Sequence, residues 1–392
     1  MFQKIKNIYH LFIAIGASIF FGFPAKKIKV IGVTGTDGKT TTVYLIYHLL
    51  KTAGFKVSMV SSIGAVINDK EYDTGFHVTT PSSFDLQKLL RKALDANSEY
   101  FVLEVTSHAL DQNRVWGIPF TIGAITNITR EHFDYHKTYE NYVKTKKRLL
   151  RMSKIQVVNK DDKSYSLLGN DRNRKTYGLL SGDVNLKNFT FKNDSLIGEF
   201  NKYNVLCAVA VCRALGLVDN RIKKGIESFK LPLGRLDLVF SNNFNVIIDF
   251  AHTPNAFEEV LRLLRSQTTG RIIHVFGSAG ERDKSKRPLL GKISSEFSDV
   301  IILTAEDSRS ENTESIIGDI SKGIKTSNVQ IFKVPKRIMA IEKAIGIARD
   351  GDLVLITGKA HERSMNLGYG EKPWDEYEAV KKALEKKGLS HE

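Results

Sequence analysis

Seven residues narrow the folds open to this chain more than any others: Gly35, Thr36, Asp37, Gly38, Lys39, Thr40 and Thr41, reading GTDGKTT. They follow KIKVIGV at 27–33, which reads as a buried strand, and lead into KTTTVYLIYHLLKTAG at 39–54, which reads as a helix ended by Gly54. A glycine-rich turn in that position aims backbone N–H groups at one spot, and the helix N-terminus adds positive potential there. The expected occupant is a phosphate chain, with Lys39 reaching the β- and γ-phosphates and the Thr40 hydroxyl on Mg2+. The longer G-x-x-x-x-G-K spacing would need glycine where Val33 stands, so this is a shortened phosphate loop.

The same alternation continues. YFVLEV at 100–105 and IGAITN at 122–127 are further strands closed by polar residues, which predicts a mostly parallel sheet covered by helices. Ligands gather beyond the carboxyl ends of such strands. The pattern restarts near Gly234, with strands at 245–250, 271–276, 300–304, 329–334 and 352–357 and helices such as 255–266 between them. The predicted fold class is therefore α/β: a central P-loop ATPase-like domain, then a C-terminal Rossmann-like, doubly wound domain. The expected division is a hydrophobic N-terminal helical extension at 1–27, a central domain at 28–233 and a C-terminal domain at 234–392. The polar stretch from Ser181 to Asn201 is expected to form a strand-rich edge.

Two clusters join the turn. Glu104 ends a strand beside it, where a carboxylate can hold Mg2+, although a solvated strand-end glutamate has the same appearance. TNITREHFDYH at 126–136 crowds His132, Asp134 and His136 into one loop. Its His-x-x-x-His spacing suits zinc on a helix. However, the glutamate a metalloprotease needs after the first histidine is missing, and the neighbouring phosphate loop favours a second magnesium.

A net charge of +15 attracts anions. The basic residues are scattered and form no nucleic-acid motif, so small anionic substrates are expected as partners, and no nucleic acid. Cys207 and Cys212 lie in an apolar helical pattern and read as buried thiols of a reducing cytoplasm. Residues Ile8 to Phe23 form an apolar stretch after Lys4 and Lys6, without a cleavage site and short for a spanning helix. A packing helix is the first reading, and peripheral contact with a membrane surface the second.

The motifs GTDGKTT, EVTSHAL, TNITREHFDYH, Tyr142-x-x-x-Lys146, GEFNKYN, LGRLD, DFAHTPNA, FGSAGERDKSKRP and GKAHE occur in this order over roughly residues 28 to 380. That series resembles the Mur ligase family, in its MurE branch. The resemblance implies an ATP-dependent ligase that adds an amino acid, a diamino acid by this reading, to a muramoyl-dipeptide cell-wall precursor. The route is an acyl-phosphate, releasing ADP and phosphate. It also implies that Lys39 grips the ATP phosphates, that Thr40 and Glu104 bind Mg2+, that His132 helps bind a second ion, and that Lys146 is carbamylated by CO2 and so becomes a metal ligand. By the same resemblance Asn201, Asn204, Arg235, Asp249 and His252 contact the nucleotide. Thr79, Thr80, Thr106, Gln112 and Arg114 hold the muramoyl-peptide. Arg282, Gly358 and Glu362 bind the amino acid, together with the stretch Glu306, Asp307, Ser308 and Arg309.

Six positions, at four places, depart from the family pattern. Thr106 replaces a serine but keeps the hydroxyl, and Val78 stands where asparagine is common. Glu306-Asp307-Ser308 replaces the usual Asp-Asn-Pro before Arg309, and Ala360 replaces a glycine. The family's N-terminal UDP-binding domain is expected to be missing, since about 26 residues precede the first strand. A monomer is expected. The competing readings are an amide ligase of folylpolyglutamate or poly-γ-glutamate type, a non-catalytic nucleotide-binding subunit, and a mechanical P-loop NTPase.

Overall fold

A computed structural model describes residues 2–75, 78–325 and 328–389, except for the side chains of Phe2, Lys4 and Ile5. The Lys4 flank and the last three residues of the expected C-terminal domain therefore lie outside the described parts. The chain forms two compact units, Met1–Thr129 with His136–Pro232, and Arg130–Tyr135 with Leu233–Glu392.

The first unit opens with α1 (Phe2–Phe20), then β1 (Lys29–Thr34), α2 (Lys39–Thr52), β2 (Val57–Val60), β3 (Ala65–Ile67), β4 (Lys70–Tyr72), α3 (Ser83–Asp95), β5 (Tyr100–Glu104) and α4 (Ser107–Asp111). It continues through β6 (Phe120–Ile125), then α5 (Phe133–His136), whose first three residues group with the second unit, α6 (Tyr139–Arg151), β7 (Ser153–Asn159), β8 (Arg174–Tyr177), α7 (Glu199–Ala214) and α8 (Asp219–Glu227). The sheet order is β4-β3-β2-β5-β1-β6-β7-β8, with β1 parallel to both β5 and β6. Its central strands are continuous apolar runs because helices cover both faces. Asn68 and Asp69, both at positive φ, turn β3 into β4 as a hairpin.

The expected strand-rich edge at 181–201 is a correction. After β8 a single bridge joins Tyr177 to Val184, and residues up to Gly198 are otherwise irregular. Val184, Phe189 and Leu196 nonetheless enter the core with Tyr177 and the inner side of α7. Those apolar residues serve as plugs from a loop, at spacings no strand ladder could use.

The second unit runs β9 (Asp237–Ser241), β10 (Asn245–Asp249), α9 (Pro254–Gln267), β11 (Ile272–Phe276), α10 (Arg287–Phe297), β12 (Val300–Leu303), α11 (Thr313–Ser321) and β13 (Gln330–Lys333). It closes with α12 (Arg337–Ile347), β14 (Leu353–Thr357), the hairpin β15 (Ser364–Asn366) and β16 (Glu371–Pro373), and α13 (Glu376–Lys386). Its main sheet has the order β13-β12-β11-β14-β10-β9, parallel except for β9. Ile273 and Val275 pack with α12 and α13 on one face, while His274 and Phe276 meet Phe257 of α9 on the other, 5.0 Å between ring centroids in each case. That alternation of side chains makes the unit doubly wound. Among the described residues no helix is long and apolar enough to cross a membrane.

Candidate active site

The glycine-rich turn is shaped by close contacts. Gly35 has φ +154°, and a Cβ there would sit 1.7 Å from the Thr126 hydroxyl; Gly38 has φ +77°, and a Cβ there would sit 2.2 Å from Asn204 Oδ1. Both positions need glycine for space as well as for dihedral. The turn is then latched to the end of β6. The Asp37 N–H donates to Asn127 Oδ1 at 3.0 Å, and the Asp37 carbonyl accepts from Thr126 Oγ1 at 2.7 Å and Asn127 Nδ2 at 3.2 Å. Thr36 Oγ1 accepts from the Thr129 N–H at 3.0 Å and lies 3.3 Å from the Tyr142 hydroxyl. Lys39, half-buried in the first turn of α2, donates to the Thr36 carbonyl at 2.8 Å, while Thr41 is buried. On α7, Asn204 Nδ2 donates to Asn201 Oδ1 at 3.2 Å.

β5 lies beside β1 with Glu104 opposite Val33, so its carboxylate ends under the turn. It accepts from the Thr40 hydroxyl at 3.0 Å and from the Ser62 N–H at 3.1 Å, in a place only 2% exposed. Mg2+ takes oxygen donors, keeps several waters and is held by one or two carboxylates. A buried hydroxyl and carboxylate in contact fit that requirement. Among the described residues no three of His, Cys, Asp or Glu converge as a metal site. Lys146 of α6 is buried, donates to the Gly35 carbonyl at 2.5 Å and lies 4.5 Å from the Tyr142 ring centroid.

Four of the five residues expected to hold the acceptor come together. Thr80 Oγ1 donates to the Glu104 carbonyl at 2.9 Å and accepts from the Thr106 N–H at 3.0 Å. Thr106 Oγ1 caps α4 by accepting from Ala109 N–H at 3.1 Å, so the hydroxyl that replaces serine has a local structural task. Arg114 donates to Gln112 Oε1 at 2.8 Å and to the Thr80 carbonyl at 3.0 Å. Thr79 is half-buried next to Thr80.

The second unit holds the other residues. His132 sits at φ +57°, its Nδ1 4.0 Å from Glu131 Oε1; Glu131 is paired with buried Lys286 at 3.1 Å. Lys286 also donates to the His252 carbonyl at 3.0 Å. His252 Nδ1 is 2.8 Å from the Phe250 carbonyl, and since a carbonyl only accepts, Nδ1 carries the proton. Arg235 stacks over the Phe250 ring at 4.9 Å. Asp249 accepts from Leu236 N–H at 2.8 Å and Ala251 N–H at 2.7 Å; burial pushes its carboxyl above the usual range, against Arg235 and those two donors.

At the carboxyl ends of β12 and β14, Glu306 and Gly358 touch: Gly358 has φ +104°, and a Cβ there would lie 2.9 Å from Glu306 Oε2. Burial raises the Glu306 carboxyl, and the neighbouring Asp307 charge adds to it. Ser308 is buried, and its N–H donates to the Glu306 carbonyl at 3.0 Å. Arg309, at φ +51°, donates to the Gly280 carbonyl at 2.6 Å. The Arg282 guanidinium is held below its usual range by desolvation and then by the Arg309 charge.

Reading the sequence missed the buried cations. Lys359 is fully buried between Asp307, at 3.0 and 3.1 Å, and Glu362, at 2.6 Å. Arg337 is buried against Glu376 and donates to the carbonyls of Ala305 at 3.1 Å and Thr357 at 2.8 Å. Lys359 stood within the GKAHE motif, but a lysine in sequence reads as surface.

The Mur ligase middle domain matches residues 33–212, and the Mur ligase glutamate ligase domain matches residues 234–360. The chain is 38% identical, over 96% of its length and 82% of the relative's, to "UDP-N-acetylmuramoyl-L-alanyl-D-glutamate--2,6-diaminopimelate ligase 1" of Clostridium acetobutylicum. A solved structure of a ligase of the same description is 27% identical with a TM-score of 0.61, covering 93% of this chain and 79% of the other. The folylpolyglutamate synthase of Mycobacterium tuberculosis, solved with ADP and AMPPCP, has a TM-score of 0.70 at 16% identity, over 89% of this chain and 92% of the other, which is a likeness of fold. Together with the loop and strand-end geometry, these matches carry the conclusion that the chain belongs to the Mur ligase family, in its MurE branch, and is an ATP-dependent ligase that forms carbon–nitrogen bonds.

Proposed function

We propose that this ligase adds a diamino acid, diaminopimelate in the first instance, to the carboxylate of a muramoyl-dipeptide. The observation that carries the reading is the buried Thr40–Glu104 contact at 3.0 Å beneath a glycine turn whose Lys39 opens α2. An acceptor carboxylate oxygen attacks the γ-phosphorus of ATP and the bond to ADP breaks. The amine then attacks the acyl carbon and loses a proton, and phosphate leaves. Both partners of the first step are anions, so the barrier is largely electrostatic.

In this proposal Lys39 holds the β- and γ-phosphates on the N–H groups of Gly35 to Thr41. Thr40 and Glu104 would hold one Mg2+, and His132 and a carbamylated Lys146 are each assigned as a further metal ligand. Bound Mg2+ supplies charge neutralisation at the phosphoryl oxygens. Carbamylation leaves one N–H on Lys146, which can still donate to the Gly35 carbonyl, and adds an anionic carboxylate beyond it. Asn201, Asn204, Arg235, Asp249 and His252 position the nucleotide, and Thr79, Thr80, Thr106, Gln112 and Arg114 the acceptor. Arg309 and Arg282 take a carboxylate of the incoming amino acid. Asp307 and Glu362, paired with Lys359, and Glu306 offer carboxylate oxygens to an ammonium group beside Gly358 and Ser308.

The test supplies ATP, Mg2+ and UDP-muramoyl-dipeptide, screens diaminopimelate, lysine and other amines for ADP release, and adds a folate acceptor as a separate arm. With oxygen-18 in the acceptor carboxylate, label must appear in the released phosphate. Unlabelled phosphate rules out the acyl-phosphate, and turnover with folate alone moves the protein to the folylpolyglutamate type.

A further inference from the structure

α1 presents its side chains in an inverted order. Toward the protein it turns Asn7, Ala14, Ala17 and Ser18, and toward solvent Ile8, Phe12, Ile19 and Phe20, which are 56, 68, 62 and 74% exposed. At about 100° per residue these four share one face. Phe84 of α3 extends the patch, its ring 5.6 Å from Phe20 and 4.9 Å from Phe21. An apolar surface of this breadth on a folded protein marks an interaction site.

The inner face is made of small and polar residues and is tied down. Asn7 Nδ2 donates to Asp111 Oδ2 at 2.8 Å, Asn113 Nδ2 to the Asn7 carbonyl at 3.3 Å, and Gln87 Nε2 to Ser18 Oγ at 3.2 Å. The helix therefore stays on the protein with its apolar face outward. Charge distinguishes the possible occupants. No Asp or Glu precedes Asp37, and exposed Lys6, Lys26 and Lys27 flank the apolar stretch on its two sides in sequence. A second copy of a chain with net charge +15 would bring like charges together. A bilayer with anionic headgroups offers apolar depth and negative charge in the arrangement the helix requires.

We infer that α1 is an interfacial anchor, its outward face seated among the acyl chains of an anionic bilayer and Lys6, Lys26 and Lys27 at the headgroup phosphates. The full chain is floated with vesicles of phosphatidylglycerol and phosphatidylcholine, and with phosphatidylcholine alone. Binding to the anionic vesicles is expected, weakened by salt. Phe12→Ser with Phe20→Ser should lower partitioning on the order of 100-fold, and Lys26→Glu with Lys27→Glu by roughly 5-fold or more per lysine. Turnover on soluble substrates should stay unchanged in both variants. A Phe12→Trp chain keeps the apolar face, and its added fluorescence should be quenched by brominated acyl chains. Absence of flotation, equal binding to neutral vesicles, or an unquenched indole overturns the inference. So does a dimer in sedimentation equilibrium that the two serine substitutions dissociate.

Discussion

Replacing Glu376 by alanine leaves a guanidinium stranded inside the second unit. Arg337 and Glu376 are both buried, and the arginine donates to the glutamate and to the carbonyls of Ala305 and Thr357. Desolvation pulls the Arg337 pKa down, but the Glu376 charge and hydrogen bonds outweigh it, with Glu306 and Asp307 adding, so the net direction is upward. Loss of neutral hydrogen bonds would cost about 0.5–1.5 kcal/mol each, whereas breaking a buried ion pair costs about 3–5 kcal/mol, so the charge decides. Arg337→Met with Glu376→Leu removes both charges and should recover much of that loss, remaining about 1–3 kcal/mol below wild type because two buried carbonyls lose a donor and the Trp374 N–H loses its acceptor. Trp374 donates to Glu376 at 2.8 Å and reports the transition directly. Urea titrations in a Trp116→Phe background would follow it alone. Ala305 and Thr357 adjoin Glu306 and Gly358, so the single variant should also raise KM for the amino acid more than for ATP. The reasoning fails if Glu376→Ala stays within about 1 kcal/mol of wild type, or if the double variant is no more stable than the single.

Three further outcomes are expected. Lys39→Ala should reduce ADP formation by at least about 100-fold, read by coupled assay, since a cation facing developing phosphoryl charge is lost. Lys146→Ala should lose turnover, and short carboxylic acids should restore part of it by supplying the missing carboxylate; rescue by amines instead would contradict carbamylation. His274 is buried between Ser294 and Thr357, and burial drives its pKa down to about 3. A depressed folded pKa means that the unfolded chain takes the proton first. The stability it contributes is therefore complete above about pH 6.5 and falls by about 1.4 kcal/mol per unit on the way down to pH 3. His274→Gln should flatten that part of the stability profile in denaturant titrations from pH 6 to pH 4.

Local signals made the first half of the site legible. The turn at 35–41 declares itself because glycines at positive φ must lie between an apolar run and a helix start, and Glu104 becomes a candidate because strand ends gather ligands. Signals that depend on distant partners were silent. Lys359 and Arg337 read as ordinary surface cations until Asp307 and Glu376, dozens of residues away, are folded onto them. The short strands β2 to β4 escaped notice because four or fewer residues carry too little periodicity. The stretch after Ser181 misled for the opposite reason: its apolar residues are real core, but they reach it without a ladder.

The grip of Thr126 and Asn127 on Asp37 has a thermodynamic corollary. A loop held at both its peptide N–H and its carbonyl by a neighbouring strand has little disorder left to surrender when a ligand arrives. Capture of a nucleotide at 35–41 should then be fast and show a small entropic penalty. Loosening that grip at Thr126 would weaken affinity without removing a single group that touches phosphate.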